Sequence, residues 1–253
     1  MIQSVERALA ILVLVADGKG APVSLKEISE RTGLHRSTCA HLLETLAETG
    51  FVHQISRNEG FVLGAYAYYL TRYRVFRQEL LQVCNPVLQW LHRQTGCTAL
   101  LAILESQEKF NISCFEQEDG LLHARGELFL GNLYTSATGR VLLAHMPDAS
   151  AAALVRKVGL PPEAVWREAQ SLPQLLAELA QIRKREYIRV DAVVDGCPGA
   201  QYGAYVAREH GPGAAVGLFL PHAQAANDAQ DGRTIAALMR AVREISRRLR
   251  FES

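Results

Sequence analysis

Net charge is almost absent from this chain. Its 253 residues hold 27 Lys and Arg against 26 Asp and Glu, which leaves +1 at pH 7. That excludes a polycation coating nucleic acid, so any surface for an acidic partner must be local. A disulfide framework is missing too. Cys39, Cys84, Cys97, Cys114 and Cys197 are odd in number, widely scattered and never spaced C-x-x-C. They read as free thiols in a reducing compartment, and the expected location is the cytoplasm.

Long apolar runs are lacking as well. The run near the N-terminus, Ala8 to Val15, follows Glu6 and Arg7, carries no cationic leader or cleavage site, and is too short to span a bilayer. No membrane partner is expected. Catalytic signatures are equally scarce, with no Walker loop, no H-E-x-x-H and no G-x-S-x-G. "GPGAAVG" lacks the final glycine spacing of a nucleotide loop and runs into an apolar strand pattern. The histidines (His35, His41, His53, His92, His123, His145, His210 and His222) are scattered, and no two share a helix at i, i+4 in the second half. Catalytic residues, a metal site and a cofactor are therefore not expected.

What is present is an ordinary globular composition, 49% hydrophobic and 21% charged, long enough for one large domain or a small one plus a medium one. Ser4 to Asp17 places Val5, Ala8, Leu9, Leu12 and Val15 on one helical face, and Gly18 and Gly20 end it. In "SLKEISERTG", Ser24 and Glu27 form an S-x-x-E capping box, and Gly33 suits a left-handed stop. A third helix follows, with Cys39, Leu42, Leu43 and Leu46 inward and Gly50 as its end. "FVHQI" and "FVLG" around "SRNEG" then read as a hairpin. Helix, helix, tight turn, helix and hairpin make a winged helix-turn-helix.

Burying the apolar stripe of the third helix turns Ser37, Thr38, His41 and Thr45 outward together. This is the face a recognition helix offers to a major groove. Its N-terminal N–H groups suit a phosphate. Arg36 can reach a phosphate or a guanine edge, and His35 and His41 can donate or accept. The competing reading is a solvated amphipathic helix.

These motifs resemble a known family. "SVERALAIL", "SLKEISERTGLHRST" with "LLETLAETGFV", and "FVLG" are similar to the DNA-binding domain of IclR-type transcriptional regulators. A weaker likeness continues at "LLAHMP", "LAQIRKREY" and "ISRRL". The resemblance implies an α+β chain with a winged helix-turn-helix in residues 1–64, a linker helix in 65–75, and a GAF-like effector-binding and oligomerisation domain in 76–253. The implied partners are a double-stranded DNA operator, a small-molecule effector and further copies of the chain, as dimer or tetramer, on the nucleoid. Two departures stand out. The family usually has arginine where His41 stands, and here the wing tip carries Arg57 as its one base.

Residues 65 to about 93 are helical in composition, broken only by Pro86, and place Tyr66, Tyr69, Leu70, Tyr73 and Phe76 on broad apolar faces. Either this helix is buried within the chain or it pairs with its copy in a dimer. The resemblance points to the dimer. Beyond Gly96, "CTALLAILE", "KFNISCFEQ", "LLHARGELFL", Tyr187 to Val194, "AQYGAYVARE" and "AAVGLFLP" read as strands. "TSATGRVLLAHM", "LPQLLAELAQIRKRE" and the C-terminal stretch read as helices, an antiparallel sheet packed with helices. The six arginines of the last helix read as a solvated face.

"LYTSATGR" is the informative stretch of this half. A Thr or Ser cap, small Ala137 and Gly139 about Thr138, and open N–H groups make an anion-sized cradle just after Tyr134. The alternative is an ordinary capped helix. In the family the matching segment lines the effector pocket, and the resemblance adds Asp191, Tyr202, Gly217 and Phe219. The family's serines here become Gly217 and Phe219, which implies a more apolar or aromatic effector than the small keto-acids bound by some members. A small carboxylate-bearing metabolite is the expected ligand. The competing functions are an enzyme joined to a vestigial helix-turn-helix, and a second domain that only oligomerises.

Overall fold

The apolar spacing of the first sixty residues folds as three helices and a hairpin. The computed structural model describes residues 2–251 except 19, 57–58, 71–76, 119–120, 126–128, 132, 195, 209–212 and 223–227. The chain divides into two units, Met1–Val75 and Phe76–Ser253.

The first unit runs α1 (Gln3–Ala16), α2 (Leu25–Thr32), α3 (Arg36–Glu48), β1 (Val52–Ser56), β2 (Gly60–Leu63) and α4 (Ala65–Tyr69). Ile11, Leu14, Val15, Ile28, Cys39, Leu43, Val52 and Phe61 form its core. Ser24 caps α2 by accepting from the Glu27 N–H at 3.2 Å, and Gly33 ends it at φ 68°. Glu27 turns its carboxylate to Arg31 at 3.3 Å. The buried side of α1 differs from the expected one. Val15 is buried and Leu12 packs on the core as expected, but Ile11 and Leu14 join them in place of Val5 and Leu9, which are 54% and 56% exposed. The helix is apolar on two sides, and spacing alone does not say which side the core takes.

The second unit runs α5 (Gln78–Thr95), β3 (Thr98–Glu105), β4 (Glu108–Glu118), β5 (Leu121–Arg125), β6 (Phe129–Gly131), α6 (Ala137–Ala144), α7 (Asp148–Val158), α8 (Leu172–Arg183), β7 (Ile188–Val194), β8 (Cys197–Val206), β9 (Ala214–Pro221) and α9 (Asp228–Phe251). Its sheet is antiparallel in the order β5-β4-β3-β9-β8-β7, with β6 also on β4. Ser106 and Gln107, at φ 50° and 70°, close the β3–β4 hairpin between paired Glu105 and Glu108.

Strand alternation gives the sheet two covered faces. On one, Leu101, Tyr202, Val216 and Leu218 meet Leu88 and Leu91 of α5 and Leu238 and Ile245 of α9. On the other, Ala102 and Ala215 meet Leu143 of α6, Leu175 and Leu179 of α8, and Trp166.

Three elements depart from the expected ones. The helix expected from 65 to about 93 is interrupted. α4 ends at Tyr69, and α5 begins after Arg77, whose left-handed backbone (φ 55°, ψ 40°) breaks the helical path, while Tyr73 and Phe76 lie outside the described residues. Its guanidinium pairs with Glu105. "LLHARGELFL" forms two strands, β5 and β6, which pair with opposite ends of β4. The alanine-rich α7 was not foreseen, because its uniform small residues show no clear periodicity.

Candidate nucleic-acid interface and effector site

α3 starts at an unusual cap. The His35 imidazole Nδ1 accepts the Ser37 N–H at 3.4 Å and lies 2.8 Å from the Ser37 hydroxyl. His35 and Ser37 are thus tied to each other, which gives His35 a structural role the sequence reading missed. Arg36, the first helical residue, is exposed, and its guanidinium makes no hydrogen bond or ion pair among the described residues. The first turn of α3 holds no acid, so nothing of its own charge offsets the positive end of the helix. Ser37, His41 and Thr45 form an exposed stripe at i, i+4, with Thr38 half-buried beside it. The Thr45 hydroxyl donates to the His41 carbonyl at 3.1 Å, and His41 Nδ1 lies 3.7 Å from Glu44. Of the four residues expected on this face, three are thus exposed together and Thr38 only in part. Arg57 lies outside the described residues.

In the second unit, two glycines let α6 lie on the sheet. A Cβ on Gly203 would come within 2.8 Å of the Ala137 carbonyl carbon, and one on Gly217 within 2.5 Å of the Thr138 methyl. Ala137, Thr138 and Gly139 are all buried. The cradle is not open as expected. The Ala137 N–H donates to Gln201 Oε1 at 3.0 Å, and the Gly139 N–H to Ser136 Oγ at 3.1 Å. Gln201, on β8, supplies a partner that no pattern within residues 133–140 reveals.

Phe219 pairs with Gln201 across β8–β9, and its ring edge lies 2.5 Å from where a Cβ on Gly199 would stand. Ala137, Thr138, Gly139, Gly217 and Phe219 thus share the α6 face. Tyr134 stands at its edge, donating from its hydroxyl to the Gly159 carbonyl at 2.6 Å. Arg140 holds this corner, donating to the carbonyls of Tyr134 (2.8 Å) and Val165 (2.6 Å), with its guanidinium 4.2 Å from the Trp166 ring centroid. Burial brings that guanidinium down to about 10.

Tyr202 and Asp191 do not join this group. Alternation sends both to the opposite face. The Tyr202 hydroxyl donates to Asp231 of α9 at 2.6 Å. Burial, then that carboxylate, push the phenol up to about 12. Asp191 is exposed, 3.0 Å from Arg189 and 3.5 Å from His222. The neighbour of Tyr202, Gln201, is the residue that faces α6.

Two further residues on the α6 face escaped the sequence reading. Lys109 pairs across from Leu104, and Asn111 from Ala102, so both side chains share the face of those two. Each is only 4% exposed. Among the described residues the Asn111 Oδ1 has no hydrogen-bond partner. Among the described residues no acid neutralises Lys109, and burial alone brings its ammonium down to about 8. The described residues contain no cluster of three or more His, Cys, Asp or Glu fit for a metal, and none of their helices is long and apolar enough to cross a membrane.

Residues 4–56 match the IclR helix-turn-helix domain, and residues 73–247 match the C-terminal domain of the bacterial transcriptional regulator IclR. The chain belongs to the IclR family. It is 29% identical over 189 residues to the transcriptional repressor IclR of Escherichia coli (strain K12), covering 74% of this chain and 68% of that one. It is 32% identical over 194 residues to the HTH-type transcriptional regulator XynR of the same strain, covering 74% and 73%. An IclR regulator from Alicyclobacillus acidocaldarius shares the fold, with a TM-score of 0.72 at 20% identity over 97% of this chain and 98% of that one. So does an IclR homologue from Microbacterium hydrocarbonoxydans complexed with 4-hydroxybenzoate, with a TM-score of 0.66 at 20% identity over 96% and 99%. These relatives are repressors and regulators rather than enzymes, and this IclR-family chain is a transcriptional regulator with a DNA-binding and an effector-binding domain.

Proposed function

We propose that this IclR-family regulator responds to a small carboxylate-bearing metabolite held on the α6 face of its second domain. Lys109 carries the reading. A buried ammonium without a counter-charge is costly, and an arriving carboxylate would supply that charge while Asn111 Oδ1 accepts from a donor on the same ligand. The acid bound by the Microbacterium relative is in keeping with this class. Phe219 and Tyr134 supply aromatic surface to the rest of the ligand.

The regulator acts as a homodimer or a pair of dimers in the cytoplasm, bound to DNA. Support comes from Ile2, Val5, Leu9 and Val13, an exposed apolar stripe along α1, and from exposed Tyr66, Tyr68, Tyr69 and Leu70 in and after α4. A two-fold dimer sets two copies of α3 in successive major grooves about 34–36 Å apart, on a roughly palindromic operator. Ligand binding changes operator affinity only by its differential affinity for two states of the protein.

The test is a thermal-shift panel of carboxylic acids, each paired with its amide, followed by operator titration with the best acid. Acids should stabilise the protein, amides should not, and Lys109→Met should lose the difference. Equal responses to acid and amide, or a response intact in Lys109→Met, would defeat the carboxylate reading.

A further inference from the structure

On the sheet face opposite α6, α5 and α9 enclose a groove of about 570 Å³. That size lies within the roughly 300–1,000 Å³ typical of small-molecule sites. One wall is Pro86 and Trp90 of α5. The other is Arg240, Arg243, Arg247 and Arg248 of α9 with a single acid, Glu244. Four guanidiniums against one carboxylate leave a net charge of +3.

The wall is regular. Residues 240, 243, 244, 247 and 248 follow i, i+3, i+4, i+7, i+8 and lie on one side of the helix. Glu244 is shared, accepting from Arg247 at 2.9 and 3.0 Å and from Arg248 at 2.7 Å. The Arg240 guanidinium lies 5.0 Å from the Trp90 ring centroid. Arg243 makes no ion pair or hydrogen bond among the described residues, so its fork of donors is open to the groove.

Helix electrostatics account for part of this only. A cation is favoured in the last turn, which suits Arg248 and Arg250, but the effect fades within that turn. Arg240 and Arg243 lie well before it. The cations of α9 are moreover all arginine, the side chain that grips phosphate and carboxylate with two parallel hydrogen bonds. Pro86 adds a second signal. A proline inside a helix sacrifices a backbone hydrogen bond, and here its ring forms the groove wall.

We propose that the α5–α9 groove is a second ligand site, for a small polyanion bearing two or more phosphate or carboxylate groups. Arg243 would engage one group, Arg247 and Arg248 another, and Arg240 would stay stacked on Trp90 at the rim. Because the effector face lies across the sheet, either site can fail without the other.

Trp90 and Trp166 are the chain's two tryptophans, so Trp166→Phe makes Trp90 the sole reporter in the full-length protein. Pyrophosphate and citrate would be titrated at constant ionic strength while Trp90 emission is read, the two arms separating phosphate from carboxylate ligands. A saturable change with at least one of them is expected, about tenfold weaker or more in Arg243→Gln and unaltered in Arg233→Gln, which changes the same charge outside the groove. Trp90→Phe, with Trp166 retained, should lose the signal and so guards against a misfolded reporter. Several outcomes would overturn the proposal. These are a change that never saturates, an equal effect of the two arginine variants, or saturation by non-operator duplex DNA at lower concentration than by either anion. Loss of the wild-type oligomer in Arg243→Gln, read by light scattering, would make the groove a contact between copies and overturn it too.

Discussion

Gly203 lies directly beneath Ala137, so close that a Cβ on the glycine would stand 2.8 Å from the Ala137 carbonyl carbon and 3.0 Å from the Thr138 nitrogen. Backbone therefore rests on backbone where α6 begins, and neither partner is a side chain that can swing aside. At Gly217 the obstacles are side chains, the Thr138 methyl at 2.5 Å and the Leu100 side chain at 3.2 Å. Gly203→Ala should cost about 1–3 kcal/mol in chemical denaturation, and Gly217→Ala distinctly less. Equal costs would mean that α6 does not sit on the sheet in this way.

At the DNA face, two adjacent residues should separate cleanly. Among the described residues Arg36 has no partner to lose, so Arg36→Ala should leave the melting temperature unchanged and weaken operator binding by about 1–3 kcal/mol if it reads a base. His35 caps the helix through Nδ1, so His35→Ala should lower stability by about 0.5–2 kcal/mol, and His35→Asn should restore most of it. An unchanged dissociation constant for Arg36→Ala at fixed salt would remove that contact.

Lys109 makes stability depend on pH with a definite sign. In the unfolded chain the ammonium keeps its proton up to about 10.5, but in the fold only up to about 8. Between those values the unfolded state binds more protons, so wild-type stability should rise with pH across that window. Below about 8 the burial penalty is fully present. Lys109→Met should therefore be more stable than wild type at pH 7, by up to about 3 kcal/mol, with the gain fading towards pH 10.5. Urea titrations of both proteins across that range check it, and parallel pH profiles would show that Lys109 is not buried as an isolated charge.

The exposed stripe of α1 gives the assembly a test of its own. Leu9→Glu and Tyr69→Asp each place a charge on a surface that is 56% or 50% exposed in one chain. If copies meet there, light scattering should show more monomer for either variant, with the single-chain fold intact by circular dichroism. Scattering identical to wild type for both would assign the stripe to something other than self-association.

The parts of this molecule written in local chemistry were legible in the sequence. Ser24 and Gly33 announce the ends of α2, Ser136 and Ser171 those of α6 and α8, and the outward stripe of α3 follows from its inward one. What depends on long-range register was not. Tyr202 and Gln201 are adjacent in sequence, and only the pairing of β8 with β9 decides which of them faces α6. Lys109 and Asn111 alternate with apolar residues as a solvent-facing pair would, yet they are buried. On α1, two apolar sides competed for one core, and the one carrying Ile11 and Leu14 took it.

Arg77, just inside the second unit, has a left-handed backbone, a conformation that costs a non-glycine residue about 1–2 kcal/mol, and its guanidinium is fastened to Glu105 at the end of β3. Glu105 leads straight into the Ser106–Gln107 turn, and the Gln107 amide oxygen accepts from Lys157 of α7 at 3.1 Å. The entry of the chain into this unit is therefore braced like a hinge pin set in two plates. A pull arriving at Arg77 does not load α5 alone. It divides between that helix and the hairpin turn, and from the turn it reaches α7.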